Sequence, residues 1–243
     1  MVRLSRYDLE KIAQRVIRAY MKLPVFEGKR IYNISPQILL ENLLKLRVDY
    51  CHLSLDRMTL GATILRVAGE IEVFDACDES NTVILDGSTV LIEQDLRDDV
   101  SQKGRLNMTK VHEACHHILE MLFPGEYCKG NKKLRYCKQK PVITDWEEWQ
   151  VETLSSAIMM PEDIVRQALL LFGFNERIPM INRKHAKRDY QQFSMIADFL
   201  GVSKQALSIR LSQLGLVGRN DFDDPDSLLD IHNINAPDKG GTS

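Results

Sequence analysis

The chain lacks any apolar run of the roughly 20 residues that a membrane-spanning helix needs. Its longest apolar stretch is Ala168–Phe174. The first residues, MVRLSRYDLEK, carry charges but no apolar core, so no secretory signal is expected. Charge of one sign is also missing. The 243 residues hold 32 Lys and Arg against 34 Asp and Glu, a formal net charge of -2. This excludes a basic nucleic-acid coat and an acidic solvating chain for the molecule as a whole. Cysteine is sparse. Cys51, Cys77, Cys115, Cys128 and Cys137 are odd in number and irregular in spacing, unlike a disulfide framework. A reducing cytoplasm is therefore the expected location. No internal repeat is visible.

What is present has ordinary globular composition, 44% hydrophobic and 27% charged. The length suits one sizeable domain with a small appendage, or two small domains. Residues 5–22 carry Leu9, Ile12, Val16, Ile17 and Tyr20 at helical spacing, with Ser5 as a cap. A second helix is expected from Ser35-Pro36 to about Lys45. The period then changes, and Val48–Leu53, Ala62–Val67, Glu70–Phe74, Thr82–Leu85 and Thr89–Gln94 read as strands. Asp86-Gly87 predicts a hairpin between the last two, within a small, mostly antiparallel sheet. Helices are expected over Asn107–Leu122, Asp145–Met159 and Pro161–Leu171, with a basic loop at Gly125–Pro141. The pattern predicts an α+β fold.

Residues 112–116 read His-Glu-Ala-Cys-His inside an expected helix. Residues four apart project from one helix face, so His112 and His116 can close on one ion, for which Zn²⁺ is the usual occupant. Glu113 lies beside that ion rather than on it. There it can take a proton from an attacking water. A catalytic zinc needs a third protein ligand. Asp145, Glu147, Glu148 and Glu152 all lie on the following helix, and spacing does not choose among them. His117, about 100° around the helix, is expected to pack rather than ligate. Cys115 is expected to be a buried small hydrophobe, and Cys128 and Cys137 lack zinc-finger spacing.

GRLNMTKVHEACHHIL followed by EWQVETLSSAIMMP resembles the ImmA/IrrE family of metallo-endopeptidases. That family's pattern is R-x-x-F-T-x-A-H-E-x-x-H, then E-x-x-A-x-x-x-A-x-x-L-L-M-P. Arg105, Met108, Thr109 and Val111 occupy the fixed positions ahead of His112. Ile158, Met159 and Met160 match the apolar run before Pro161. Cys115 stands where glycine is common, and Val151 where alanine is usual. The resemblance covers about residues 5 to 217. It implies a zincin-like metallopeptidase fold and puts Glu148 in the position of the third zinc ligand. It also implies proteolysis of a protein substrate, a helix-turn-helix transcriptional repressor of a mobile element or stress regulon.

The expected division is a metallopeptidase domain at 1–178, a basic helix-turn-helix-like segment at 179–219 and a loose tail at 220–243. In the middle segment Asp189–Leu200 and Lys204–Leu214 flank Gly201-Val202-Ser203. Its cations are Arg183, Lys184, Lys187, Arg188, Lys204, Arg210 and Arg219, against Asp189 and Asp198. DNA contact through this hairpin is one expectation, and packing on the catalytic domain is the other. The alternative function is thus a DNA-binding or regulator-binding protein with a structural or degenerate zinc site.

Overall fold

The computed structural model describes residues 2–65, 69–127 and 146–227, and the backbone of 133–137. The fold is α+β, with small sheets packed among helices. Helix α1 (Arg6–Met21) opens with a reciprocal cap: the Ser5 hydroxyl accepts from the Asp8 amide, and Asp8 accepts from the Ser5 amide. Its Leu9, Ile12, Ala13, Ile17 and Tyr20 are buried. Helix α2 (Pro36–Ile38) begins under the Ser35 cap and runs into a π-helical segment (Leu39–Leu44). Lys45, at a φ of 59°, ends it in the left-handed region.

The strands β1 (Arg47–Cys51), β3 (Gly69–Phe74), β4 (Ser80–Leu85) and β5 (Thr89–Glu93) lie within two residues of the expected runs, whereas β2 (Thr59–Ile64) begins three residues before the expected Ala62. Their pairing differs from expectation at Asp86-Gly87. No hairpin joins β4 to β5. β4 pairs antiparallel with β3, while β5 enters a four-stranded sheet of order β1-β5-β2-β6, where β6 is Lys133–Cys137. Burial explains the difference. β4 is exposed along most of its length, whereas every residue of β5 is buried. A strand covered on both faces belongs at a sheet centre, so the turn at Gly87, φ 80°, moves the chain between sheets. β1 runs parallel to β5, and β2 antiparallel to both β5 and β6.

The two faces of this sheet feed two cores. Val90 and Ile92 join the main core, while Leu91, Ala62 and Ile64 join Ile71, Val73 and Leu85 beneath the β3–β4 hairpin. Helices α3 (Gln94–Asp98) and α4 (Lys103–Leu122) follow, then α5 (Trp146–Met159) and α6 (Glu162–Leu171). None of the described helices is long and apolar enough to cross a membrane.

The final unit runs β7 (Ile178–Ile181), α7 (Lys187–Leu200), α8 (Lys204–Gln213) and β8 (Val217–Asn220), with β7 and β8 parallel. Gly201, φ 68°, makes the turn between the helices and the Ser203 hydroxyl caps α8. Phe193, Ile196, Ala197, Leu200, Leu207 and Leu211 belong to the same core as Val111 and Leu154. Asn33 and Asn107 donate to the carbonyls of Phe199 and Gly201. Arg210, expected as a cation for DNA, is 1% exposed. Its guanidinium pairs with Glu10 of α1 and donates from Nε to the Met160 carbonyl at 3.0 Å. Breaking such a buried pair costs about 3 kcal/mol.

Within the expected loose tail, residues 221–227 are packed and hydrogen-bonded. Asp221 is buried and accepts from Asn182 and Arg219, Phe222 packs on Phe193, and Lys184 pairs with Asp226. Residues 228–243 lie outside the described residues, as do the Cys128 and Cys137 side chains.

Helix α4 starts earlier than Asn107, and Gly104 in its first turn is where the hairpin docks. A Cβ there would stand 2.5 Å from the Ser203 nitrogen and the Val202 carbonyl carbon. An exposed helical Gly→Ala stabilises by up to about 1 kcal/mol. Gly104→Ala is instead expected to destabilise by about 1–3 kcal/mol, because backbone must move. Urea unfolding midpoints of the two proteins check the sign.

Candidate metal centre

Helix α4 is buried from Thr109 to His116 and again from Ile118 to Glu120. Val111, Ala114, Cys115, Ile118 and Leu119 fix it in the core. That packing aims His112 and His116 at one point. Their rings meet edge to face with centroids 5.0 Å apart, and their Nε2 atoms are 3.3 Å apart. Helix α5 brings Glu148 to the same point. Its Oε2 is 3.1 Å from His112 Nε2, and its Oε1 is 3.5 Å from His116 Nε2. These three residues could hold a metal ion.

Helix α5 is held there by Val151, Leu154, Ala157 and Ile158, all buried, and by Gln150, which accepts from the Leu4 amide and the Tyr127 hydroxyl. The four carboxylates left open by spacing therefore separate. Glu148 faces both Nε2 atoms. Glu147 sits behind the His116 ring, 4.0 Å from Nδ1. Glu152 is exposed, and Asp145 lies outside the described residues.

Glu113 is 0% exposed, and neither carboxylate oxygen has a hydrogen-bond partner among the described residues. Burial first, and the nearby Glu148 charge second, hold its carboxyl well above the usual range. Its side chain lies against the backbone of Gly61 on β2. A Cβ at that position would overlap Oε1 and stand 3.0 Å from Cδ. The register of β2 against β6 shifts between Thr59 and Gly61, a bulge beside the centre that presents Gly61 and Thr63 to α4. Gly61 escaped the sequence reading, although a lone glycine within a strand pattern is the signal of close approach.

Burial lowers His112 to about 3, so its imidazole is neutral and has a lone pair to offer. His117 points elsewhere. Its Nε2 is 2.7 Å from Thr63 Oγ1, which ties α4 to β2, and burial lowers it to about 4. Cys115 is fully buried with its thiol pushed up, so it is a packing residue. A second group, His52, Glu93 and Asp95, also gathers potential donors. There His52 Nδ1 lies 2.7 Å from Glu93 Oε1, and Glu93 Oε2 accepts from the Leu53 amide. Those direct hydrogen bonds pin the end of β1 to the end of β5.

No protein-family model and no curated protein matches the chain. What the centre can do follows from its own atoms: three converging donors and, next to them, a carboxyl with raised proton affinity.

A group whose folded pKa is raised stabilises below its unfolded value and loses that contribution as pH rises. For Glu113 the loss begins near 4.5 and continues upward. Glu113→Gln removes the ionisation. The metal-free variant is therefore expected to be more stable than wild type at pH 8, with the difference shrinking toward pH 4.5. Urea midpoints across that range check it.

Proposed function

We propose that the protein is a zinc-dependent endopeptidase with a zincin-like domain of the ImmA/IrrE kind. The observation that carries this is Glu113: a fully buried carboxylate with no partner among the described residues, beside three converged donors. An unsatisfied buried carboxylate is costly, and a protein that only binds has no use for a base at its metal.

The donor set supports zinc. Ligands about 2.1 Å from a tetrahedral centre stand about 3.4 Å from one another; the two histidine Nε2 atoms are 3.3 Å apart, and each has a different oxygen of the Glu148 carboxylate within 3.5 Å. His112, His116 and Glu148 would hold the ion. Zinc, when bound, lowers the pKa of a water and polarises a peptide carbonyl. The chain's own work falls to Glu113. It accepts a proton from the attacking water and returns it to the leaving amine nitrogen. Its raised proton affinity suits both transfers, and Gly61 leaves room for its carboxylate. A helix-turn-helix repressor as substrate rests on the sequence resemblance, and cytoplasmic location on the odd, irregularly spaced cysteines.

The alternative, a DNA- or regulator-binding protein, draws on exposed Arg183, Lys187 and Arg188. Against it, Arg210 is buried, Arg219 and Lys184 are paired with Asp221 and Asp226, and the turn before α8 is docked on α4. The C-terminal hairpin reads better as a brace for the peptidase domain.

The test is zinc content, with cleavage of a repressor encoded beside the gene, in wild type, Glu148→Ala and Glu113→Gln. Wild type is expected to hold about one zinc per chain, and Glu148→Ala to lose most of it. Glu113→Gln is expected to keep the zinc and lose about 10²–10⁴-fold in kcat. Wild type without zinc, or Glu148→Ala with a full complement, sinks the ligand assignment. Failure to cut any neighbouring repressor sinks the substrate assignment alone.

A further inference from the structure

Histidine has two ring nitrogens, and a ring that offers one to an ion is oriented through the other. His116 turns Nε2 toward His112 and Glu148. Its Nδ1 then faces the far side of the ring, where Glu147 Oε1 stands 4.0 Å away. Two successive residues in the first turn of α5 thus address the two nitrogens of one imidazole. Both partners are nearly dry, with 2% of the His116 side chain and 8% of the Glu147 side chain exposed.

Tyr127 lies close enough to feel the Glu147 charge. Its hydroxyl donates to Gln150 Oε1 at 3.1 Å, and the Val2 carbonyl lies at 3.4 Å. A movement of about 1 Å brings Glu147 and His116 to hydrogen-bond distance. Glu147 does not serve as a fourth ligand, because it is on the side of the ring that the converging donors do not share.

We propose that Glu147 is a positioning residue: it accepts the Nδ1 proton of His116, sets the tautomer that leaves the Nε2 lone pair toward the ion, and holds the ring at that angle. The role deepens the zinc-peptidase reading and rests on it. It also divides the adjacent pair Glu147-Glu148 into one residue that orients a ligand and one that is a ligand.

The experiment is zinc affinity of the full chain, by competition with a chromophoric chelator, in wild type, Glu147→Ala and Glu147→Gln. Urea unfolding of each metal-free protein identifies any loss of fold. Glu147→Ala is expected to weaken zinc binding about 10–100-fold. Glu147→Gln, which is isosteric and keeps an acceptor oxygen, is expected to recover most of that loss. The visible spectrum of the cobalt-loaded Ala variant is expected to shift from that of wild type. Zinc affinity and cobalt spectrum unchanged in Glu147→Ala overturn the positioning role and leave the zinc centre standing. Equal weakening in Ala and Gln also overturns it, because an acceptor remains in one of them. A wild type that binds no zinc overturns the centre and this role together.

Discussion

The constraint on which the rest depends is the desolvation of helix α4. This helix is buried on nearly all sides, yet its buried stretch carries His112, Glu113 and His116. Charged groups in such a setting are driven to their neutral forms unless something pairs with them. His112 responds by staying neutral, which leaves its nitrogen a lone pair to donate. Glu113 responds by holding its proton more tightly, which makes it a stronger base than an exposed glutamate. The same dry environment that threatens stability thus prepares each group for its role. Around α4 the other elements arrange themselves by what they bring to it: β2 a glycine and a threonine, α5 its paired glutamates, α2 the Gln37 oxygen that accepts from Lys110, and α3 plain packing.

The C-terminal hairpin takes part in this arrangement rather than standing apart from it. Its turn sits on the first turn of α4, and Arg210 reaches across to the Met160 carbonyl at the end of α5 and to Glu10 on α1. The two helices that supply the converging donors are therefore held at opposite ends by one hairpin. A helix-turn-helix pattern in sequence records how two helices pack on each other. It does not record which face of the pair is left for a partner, and here much of it goes to the core.

The helices and the convergence of His112 and His116 were legible because their signals are local. Four-residue spacing on one helix brings His112 and His116 together whatever the rest of the chain does. Glu148 needed the family pattern, since Glu147 and Glu152 satisfy the same helical arithmetic and only tertiary packing tells them apart. Gly61 and Thr63 belong to a strand about fifty residues upstream, and no local period links them to α4. The Asp86-Gly87 turn was read correctly as a turn and wrongly as a hairpin. Turn chemistry fixes the reversal, and burial of β5 decides its partner. β7 and β8 are four residues each, too short for alternation to register.

The exposure of the donors has a kinetic side. His112 is 3% exposed and His116 1%, and the Glu148 side chain, at 19%, offers the widest approach. Such a place is less open to an ion from bulk water than a surface cleft is. An ion bound there would enter and leave past Glu148, and the need for local opening of α4 and α5 would slow its exchange. An ion taken up as the chain folds would then be slow to be replaced, and the metal found in the centre would reflect folding conditions as well as affinity.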